Sequence, residues 1–159
     1  MSDSVSAAIN QDFVEFPPLS PFITLNGPIF ARILGADDLE LGFSVQKKNT
    51  NLNGSCHGAV LMGLLDSVMG AYILYQLSPE YSVVTLSLST NFICSAQIGD
   101  FLIGRASIDG HSKSNVFVAG NLRGPNGMVA TATGTFAKVR SKDESLNFRE
   151  IVNKKLNVR

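Results

Sequence analysis

The run from His57 to Leu77 constrains the fold more than any other part of this 159-residue chain. It is apolar almost all round, with Val60, Leu61, Leu64, Leu65, Val68, Met69 and Ile73 among its residues. A run of this length is predicted to be helical, and a helix apolar on every side belongs in a core. Its length approaches the roughly 20 residues of a membrane span. Asp66, Gln76 and several glycines interrupt it, however, and strand-like segments surround it, so it reads as a buried helix rather than a span.

The segments around the helix set the class. Ile29 to Leu34 and Leu39 to Val45, joined by Gly35-Ala36-Asp37-Asp38, read as a hairpin. Gln46 to Ser55 is a loop by composition. After Pro79 come four strand candidates, about Val83 to Ile93, Phe101 to Ile108, Ser114 to Leu122 and Met128 to Val139. Turn signals at Gly99-Asp100, Asp109-Gly110 and Gly124-Pro125-Asn126-Gly127 predict an antiparallel meander. The order β-β-α-β-β-β-β makes an α+β domain over 20–140. Residues 1–19, ending in a proline cluster, read as a flexible N-terminal arm or short docking helix. Residues 141–159 read as a polar C-terminal tail, helical near Leu146 to Leu156. One sheet on one helix leaves edges and a face in need of cover, which predicts self-association.

Composition narrows function by exclusion. Lys plus Arg equals Asp plus Glu, 13 each, which argues against a nucleic-acid or membrane-surface binder, since either needs a basic excess. Two cysteines and two histidines without ligand spacing predict neither a disulfide framework nor a metal site, and no cofactor motif is present. The first 15 residues lack the basic region of a secretory signal, so the reading is a cytoplasmic protein.

Asp66 is the only Asp, Glu, Lys or Arg between His57 and Pro79. A buried carboxylate is costly unless paired. The plain alternative is a structural aspartate satisfied by backbone or a lysine; the functional reading is a general base or nucleophile. At the helix entrance, His57 reads either as a capping residue or as part of a site. The unpaired backbone N–H groups of Gly58 and Ala59 could receive a developing oxyanion. His57 and Asp66 lie nine positions apart, about 180° around a helix and roughly 13 Å along it. One chain cannot readily aim both at one carbonyl. A two-fold partner could, which predicts a composite site at a homodimer interface. A Cys56–His57 pair is disfavoured because adjacent side chains on a helix point apart.

Asn51-x-x-Gly54-x-x-His57-Gly58, followed by Asp66, resembles the hotdog-fold acyl-CoA thioesterases of the phenylacetic-acid-degradation branch. Ala130 to Phe136 is similar to that family's last strand, and the resemblance covers about Asn26 to Val139. It implies a long helix wrapped by a curved antiparallel sheet, assembly into dimers or dimers of dimers, and hydrolysis of an acyl-CoA. By resemblance, Asp66 is the catalytic carboxylate and Gly58 the oxyanion donor. His57 stands beside that donor, Asn51 helps to place the thioester or the water, and Thr85 orients the water. Two positions depart from the pattern: Ala59 stands where the family often has glycine, and Gly70 where some members have threonine. Thr85 alternates with Ser87, Ser89 and Asn91, which predicts a shared strand face. CoA phosphates need cations, and Lys113 with Ser112, Lys138 and Arg140 are the candidates. Met62, Leu65 and Met69 are candidate acyl contacts, though such residues also serve as plain core.

Two other readings share the fold. One is an acyl-CoA-binding or sensing module without turnover, against which the buried carboxylate speaks. The other is a hydratase or dehydratase, whose His–acid spacing is not found here.

Overall fold

A computed structural model of the chain describes residues 12–16, 20–35, 37–141 and 147–157. Its elements in order are β1 (Val14–Phe16), α1 (Pro21–Asn26), β2 (Ile29–Leu34), β3 (Asp38–Ser44), a 3-10 turn (Lys47–Asn49), α2 (Gly58–Gln76), β4 (Tyr81–Phe92), β5 (Phe101–His111), β6 (Asn115–Gly124), β7 (Gly127–Arg140) and α3 (Phe148–Lys155). The seven strands form one antiparallel sheet in the order β1-β2-β3-β5-β6-β7-β4. This is the α+β arrangement of one long helix on one antiparallel sheet.

The helix and the sheet explain each other. Leu61, Leu64, Leu65, Val68, Met69 and Ile73 of α2 are buried, each burial worth about 1.5–3 kcal/mol before entropy is counted. Glycines on the facing strands let the helix approach. A Cβ at Gly104 would lie 2.4 Å from Val68 Cγ2, and one at Gly120 would lie 2.8 Å from Met69 Cγ. The opposite side of α2 is only partly covered: Asp66, Ser67, Gly70, Ala71 and Leu74 are half-buried and Met62 is exposed. Full burial all round, expected from the apolar run, is therefore not what a single chain provides. One sheet can cover only one side of a helix.

The four-strand meander also needs correction. β5, β6 and β7 follow one another, but β4 lies beyond β7 at the sheet edge. The reason is that α2 crosses the sheet from β3 to the far side. Residues 93–100 then return the chain to β5, which pairs with β3.

Both flanks meet the domain, and α3 lies where the tail is read as helical. Within the segment read as an arm, Val14–Phe16 pairs with β2, and Phe16 is buried. The α1 helix, capped by the Ser20 hydroxyl at Ile23 N–H, was not anticipated. At the other end, α3 docks on α2. Val152 is fully buried, Tyr75 donates to Asn153 Oδ1 at 3.0 Å, and Arg149 pairs with Asp37 while its guanidinium lies 4.7 Å from the Tyr75 ring centre.

On the other face of the sheet, Glu40 is fully buried between Arg32 and Arg105, to both of which it is ion-paired. The Arg32 guanidinium also stacks 4.5 Å from the Phe13 ring centre. Removing the carboxylate would leave two guanidiniums facing each other. Because both are partly exposed, the expected loss is about 2–4 kcal/mol, at the lower end for a broken buried pair. Glu40→Ala should lower the thermal midpoint by roughly 5–15 °C in a calorimetric melt.

Candidate active site

The site is built where α2 meets the edge strand. Asp66 sits eight residues into α2, on the side facing away from the sheet's centre. Its Oδ1 accepts a hydrogen bond from the Thr85 hydroxyl at 2.7 Å. Among the described residues the carboxylate's partner is this hydroxyl, and neither a backbone group nor a lysine. Oδ2 carries no hydrogen bond there either.

Thr85 reaches Asp66 because the sheet is irregular at this point. Along β4, Ser87, Ser89 and Asn91 lie opposite Thr135, Thr133 and Thr131, on the outer face. A bulge between Thr85 and Ser87 shifts the register, and Thr85 lies opposite Phe136, a core residue. The expected shared face of Thr85, Ser87, Ser89 and Asn91 is thus wrong for Thr85. The extra residue, Leu86, turns Thr85 towards the helix.

A cavity of about 270 Å³ opens beside the pair. Helix residues Asp66, Ser67, Gly70, Ala71 and Leu74 line one side of it. Val83, Thr85 and Phe136 line the sheet side, and Phe16, Ile23, Ile29, Leu41 and Phe148 supply the rest. None of the three apolar candidates, Met62, Leu65 and Met69, lines this cavity. Leu65 and Met69 are fully buried on the sheet side of α2, and Met62 lies outside the cavity. The cavity uses the other helix face, which the apolar pattern could not distinguish.

The helix entrance is held by two loops. Cys56 N–H donates to Ala96 O and His57 N–H to Asn49 O, each at 2.8 Å. Asn49 is almost wholly buried, and sequence reading passed over it. Its Oδ1 accepts from Gln46 N–H at 2.9 Å, and its amide donates to Asn26 O at 3.1 Å. Asn51 closes its own turn, its Oδ1 accepting from Asn53 N–H at 2.9 Å and its amide donating to Ser55 Oγ at 3.0 Å. Gly54, at φ +79°, supplies the left-handed residue that this turn needs.

His57 caps α2. Its Nδ1 accepts from Ala59 N–H at 3.0 Å, which makes Nε2 the nitrogen that carries the proton. Of the two backbone donors expected at this end, Ala59 is therefore occupied. Gly58 N–H has no partner among the described residues. The Phe92 ring lies against Gly58, 3.4 Å from where a Cβ would stand. Cys56 is buried, and burial pushes its thiol up to about 11, which makes it a poor nucleophile. Within one chain Gly58 and Asp66 are separated by about 12 Å along the helix axis.

The basic candidates gather at one end of the sheet. Lys138 lies opposite Val83 and Arg140 opposite Tyr81. Lys138 N–H donates to Ser114 O at 2.7 Å, so the Ser112–Lys113–Ser114 turn adjoins them. The Ser112 hydroxyl accepts from Asn115 N–H at 3.0 Å and is used in that turn.

Asn49 gives a test of the entrance geometry. Asn49→Ala would strand Gln46 N–H and Asn26 O, costing about 1–3 kcal/mol. A fall in thermal midpoint of roughly 3–10 °C is expected by differential scanning calorimetry.

Known proteins carry the same frame. The thioesterase superfamily profile matches residues 53–131. A Pseudomonas aeruginosa protein that bears the name esterase is 30% identical over 124 residues, covering 76% of this chain and 92% of that one. A phenylacetic acid degradation-related protein of Ralstonia eutropha JMP134 is 32% identical, with 74% of this chain and 90% of that one aligned at a TM-score of 0.64. A Streptococcus pneumoniae thioesterase solved with coenzyme A aligns at a TM-score of 0.67 with 18% identity, over 76% of this chain and 93% of that one, and shares the fold. Residues 53–131 include the helix entrance from Asn53 onward, α2, and β4 with Thr85. The chain belongs to the thioesterase superfamily and is a thioester hydrolase of the hotdog fold.

Proposed function

We propose that the chain hydrolyses acyl-CoA thioesters at a site shared between two copies, with Asp66 and Thr85 from one and the Asn51–Gly58 loop from the other. The observation that carries this reading is the Thr85-held Asp66 carboxylate, open on one oxygen and set at the mouth of an apolar cavity. Coenzyme A bound to the Streptococcus pneumoniae relative supports CoA as the thiol.

The chemistry follows from those groups. Asp66 Oδ2 takes a proton from water as the water oxygen attacks the thioester carbonyl. The negative charge that develops on the carbonyl oxygen is received by Gly58 N–H at the start of α2. The tetrahedral intermediate collapses, the C–S bond breaks, and the proton held by Asp66 leaves with the CoA thiolate. Thr85 fixes the carboxylate's rotamer by a hydrogen bond to a charged acceptor. Lys138, Arg140 and Lys113 are the cations that would meet the CoA phosphates.

The second copy enters through β4. This edge strand is 12 residues long, and nothing pairs with its outer side among the described residues. Val84, Leu86 and Phe92 on it, with the adjoining Ile93, are more than half exposed. An edge of this length with apolar side chains calls for a partner strand. Antiparallel pairing of two β4 strands sets the Phe92 end of one against the Tyr81 end of the other. Because Phe92 lies on Gly58, that pairing carries a second copy's Gly58 towards Asp66. Two free cysteines fit a reducing compartment such as the cytoplasm.

Asp66→Asn should lower kcat/KM for thiol release by roughly 10²–10⁴-fold while circular dichroism stays unchanged. Turnover like the wild type would remove Asp66 from the mechanism. In single-turnover reactions run in heavy-oxygen water, the label should appear in the acid product and not in Asp66; label in Asp66 would make it the nucleophile.

Complementation tests the shared site. Gly58→Pro removes the N–H at a position where proline suits a helix start. Each of Gly58→Pro and Asp66→Asn should be nearly inactive alone. Unfolded and refolded together, half of the dimers are mixed and each mixed dimer holds one complete site. About a quarter of wild-type activity should return. No recovery, with mixed dimers confirmed by native mass spectrometry, would place the whole site in one chain.

A further inference from the structure

The cavity beside Asp66 has walls from outside the matched family core of residues 53–131. Phe16 comes from β1, Ile23 from α1 and Phe148 from α3. The Phe16 and Phe148 rings meet with centres 5.9 Å apart and planes tilted by 52°. Arg149, the next residue to Phe148, stacks on Tyr75, and Asn153 accepts from the Tyr75 hydroxyl. Those contacts place Phe148 at the C-terminal end of α2, away from Asp66. The helix residues along the cavity, Asp66 to Leu74, span about 12 Å.

Polarity and volume then define the occupant. Ser67 and Thr85 are the polar residues near Asp66. The Ser67 hydroxyl donates to Gly63 O and Thr85 donates to Asp66. Every other lining residue is Gly, Ala, Val, Leu, Ile or Phe. An apolar cavity of about 150 Å³ holds a benzene ring, so about 270 Å³ suits a group of roughly six to ten carbons. Gly70, one turn after Asp66, keeps the cavity open. A Cβ there would meet only the Phe136 ring, at 3.8 Å, so a side chain at this position would grow into free space.

Resting on the hydrolase reading above, we propose that this cavity is the acyl pocket and that Phe16 and Phe148 form its end wall. The two flanking segments thereby select unsubstituted apolar acyl groups of medium size, straight-chain or phenyl-terminated. A hydroxyl on the acyl tail finds no polar partner at the Phe16–Phe148 end, away from Asp66, and is disfavoured roughly ten- to hundredfold.

The test measures kcat/KM for thiol release from acetyl-, octanoyl-, palmitoyl-, phenylacetyl- and 4-hydroxyphenylacetyl-CoA. Octanoyl- and phenylacetyl-CoA should be the best substrates, and the hydroxylated analogue should fall behind phenylacetyl-CoA by the factor above. Phe148→Ala should raise the palmitoyl-to-octanoyl ratio about tenfold, and Gly70→Val should lower the octanoyl-to-acetyl ratio by about tenfold or more, the scale of a size change in an apolar pocket. Thermal melts confirm that each variant is folded, and Phe148→Leu replaces Phe148→Ala if the latter is not. A wild-type preference for palmitoyl- or 4-hydroxyphenylacetyl-CoA, or unmoved ratios in folded variants, overturns the pocket assignment and leaves the hydrolase reading standing. No thiol release from any of the five thioesters overturns the hydrolase reading and the pocket with it.

Discussion

The packing of α2 onto the sheet is the constraint on which the rest of the molecule depends. Gly104 and Gly120 admit Val68 and Met69 at distances that no side chain on those strands would permit. This close seat buries one face of the helix and leaves the opposite face, with Asp66, Gly70 and Leu74, to line a cavity. A helix standing farther from the sheet would carry Asp66 out of reach of Thr85. The contact between Asp66 and Thr85 is therefore a consequence of core packing, and the carboxylate is held by elements whose burial already favours the fold.

A single extra residue completes that geometry. Without the bulge at Leu86, strand alternation would place Thr85 on the outer face with Ser87, Ser89 and Asn91. The bulge aims one hydroxyl inward and leaves the others in the polar outer surface. It also sits in the middle of the edge strand where a second copy is proposed to pair. The feature that orients Asp66 and the feature that invites a partner thus share one strand.

The flanks modify the core without altering it. Phe16 and Phe148 are brought together by different means, one by strand pairing with β2 and the other by a helix anchored on Tyr75 and Asp37. Gly58, Asp66 and Thr85 lie within the family-matched region, whereas part of the cavity wall does not. Such a division lets the shape of the proposed acyl pocket change while Asp66, Thr85 and Gly58 stay in place.

The sequence by itself determined the elements and singled out one candidate carboxylate. The apolar run, the alternating segments and their Gly-containing turns are local signals, and they located α2 and six of the strands to within a few residues. Asp66 was visible as a lone acid in that run, and the helix-entrance motif offered Gly58 as a candidate. Tertiary structure decided what each group faces. It moved β4 to the edge, turned Thr85 inward, gave Ala59 N–H to the His57 ring, and showed Asn49 tying the entrance together. It also selected the Gly70 side of the helix over the Met69 side as the cavity wall. The physical reason is the same in each case. Periodicity records which residues prefer burial, but a bulge, a cap or a cavity depends on pairs of groups far apart in the chain, and those pairs exist only once helix and sheet have met.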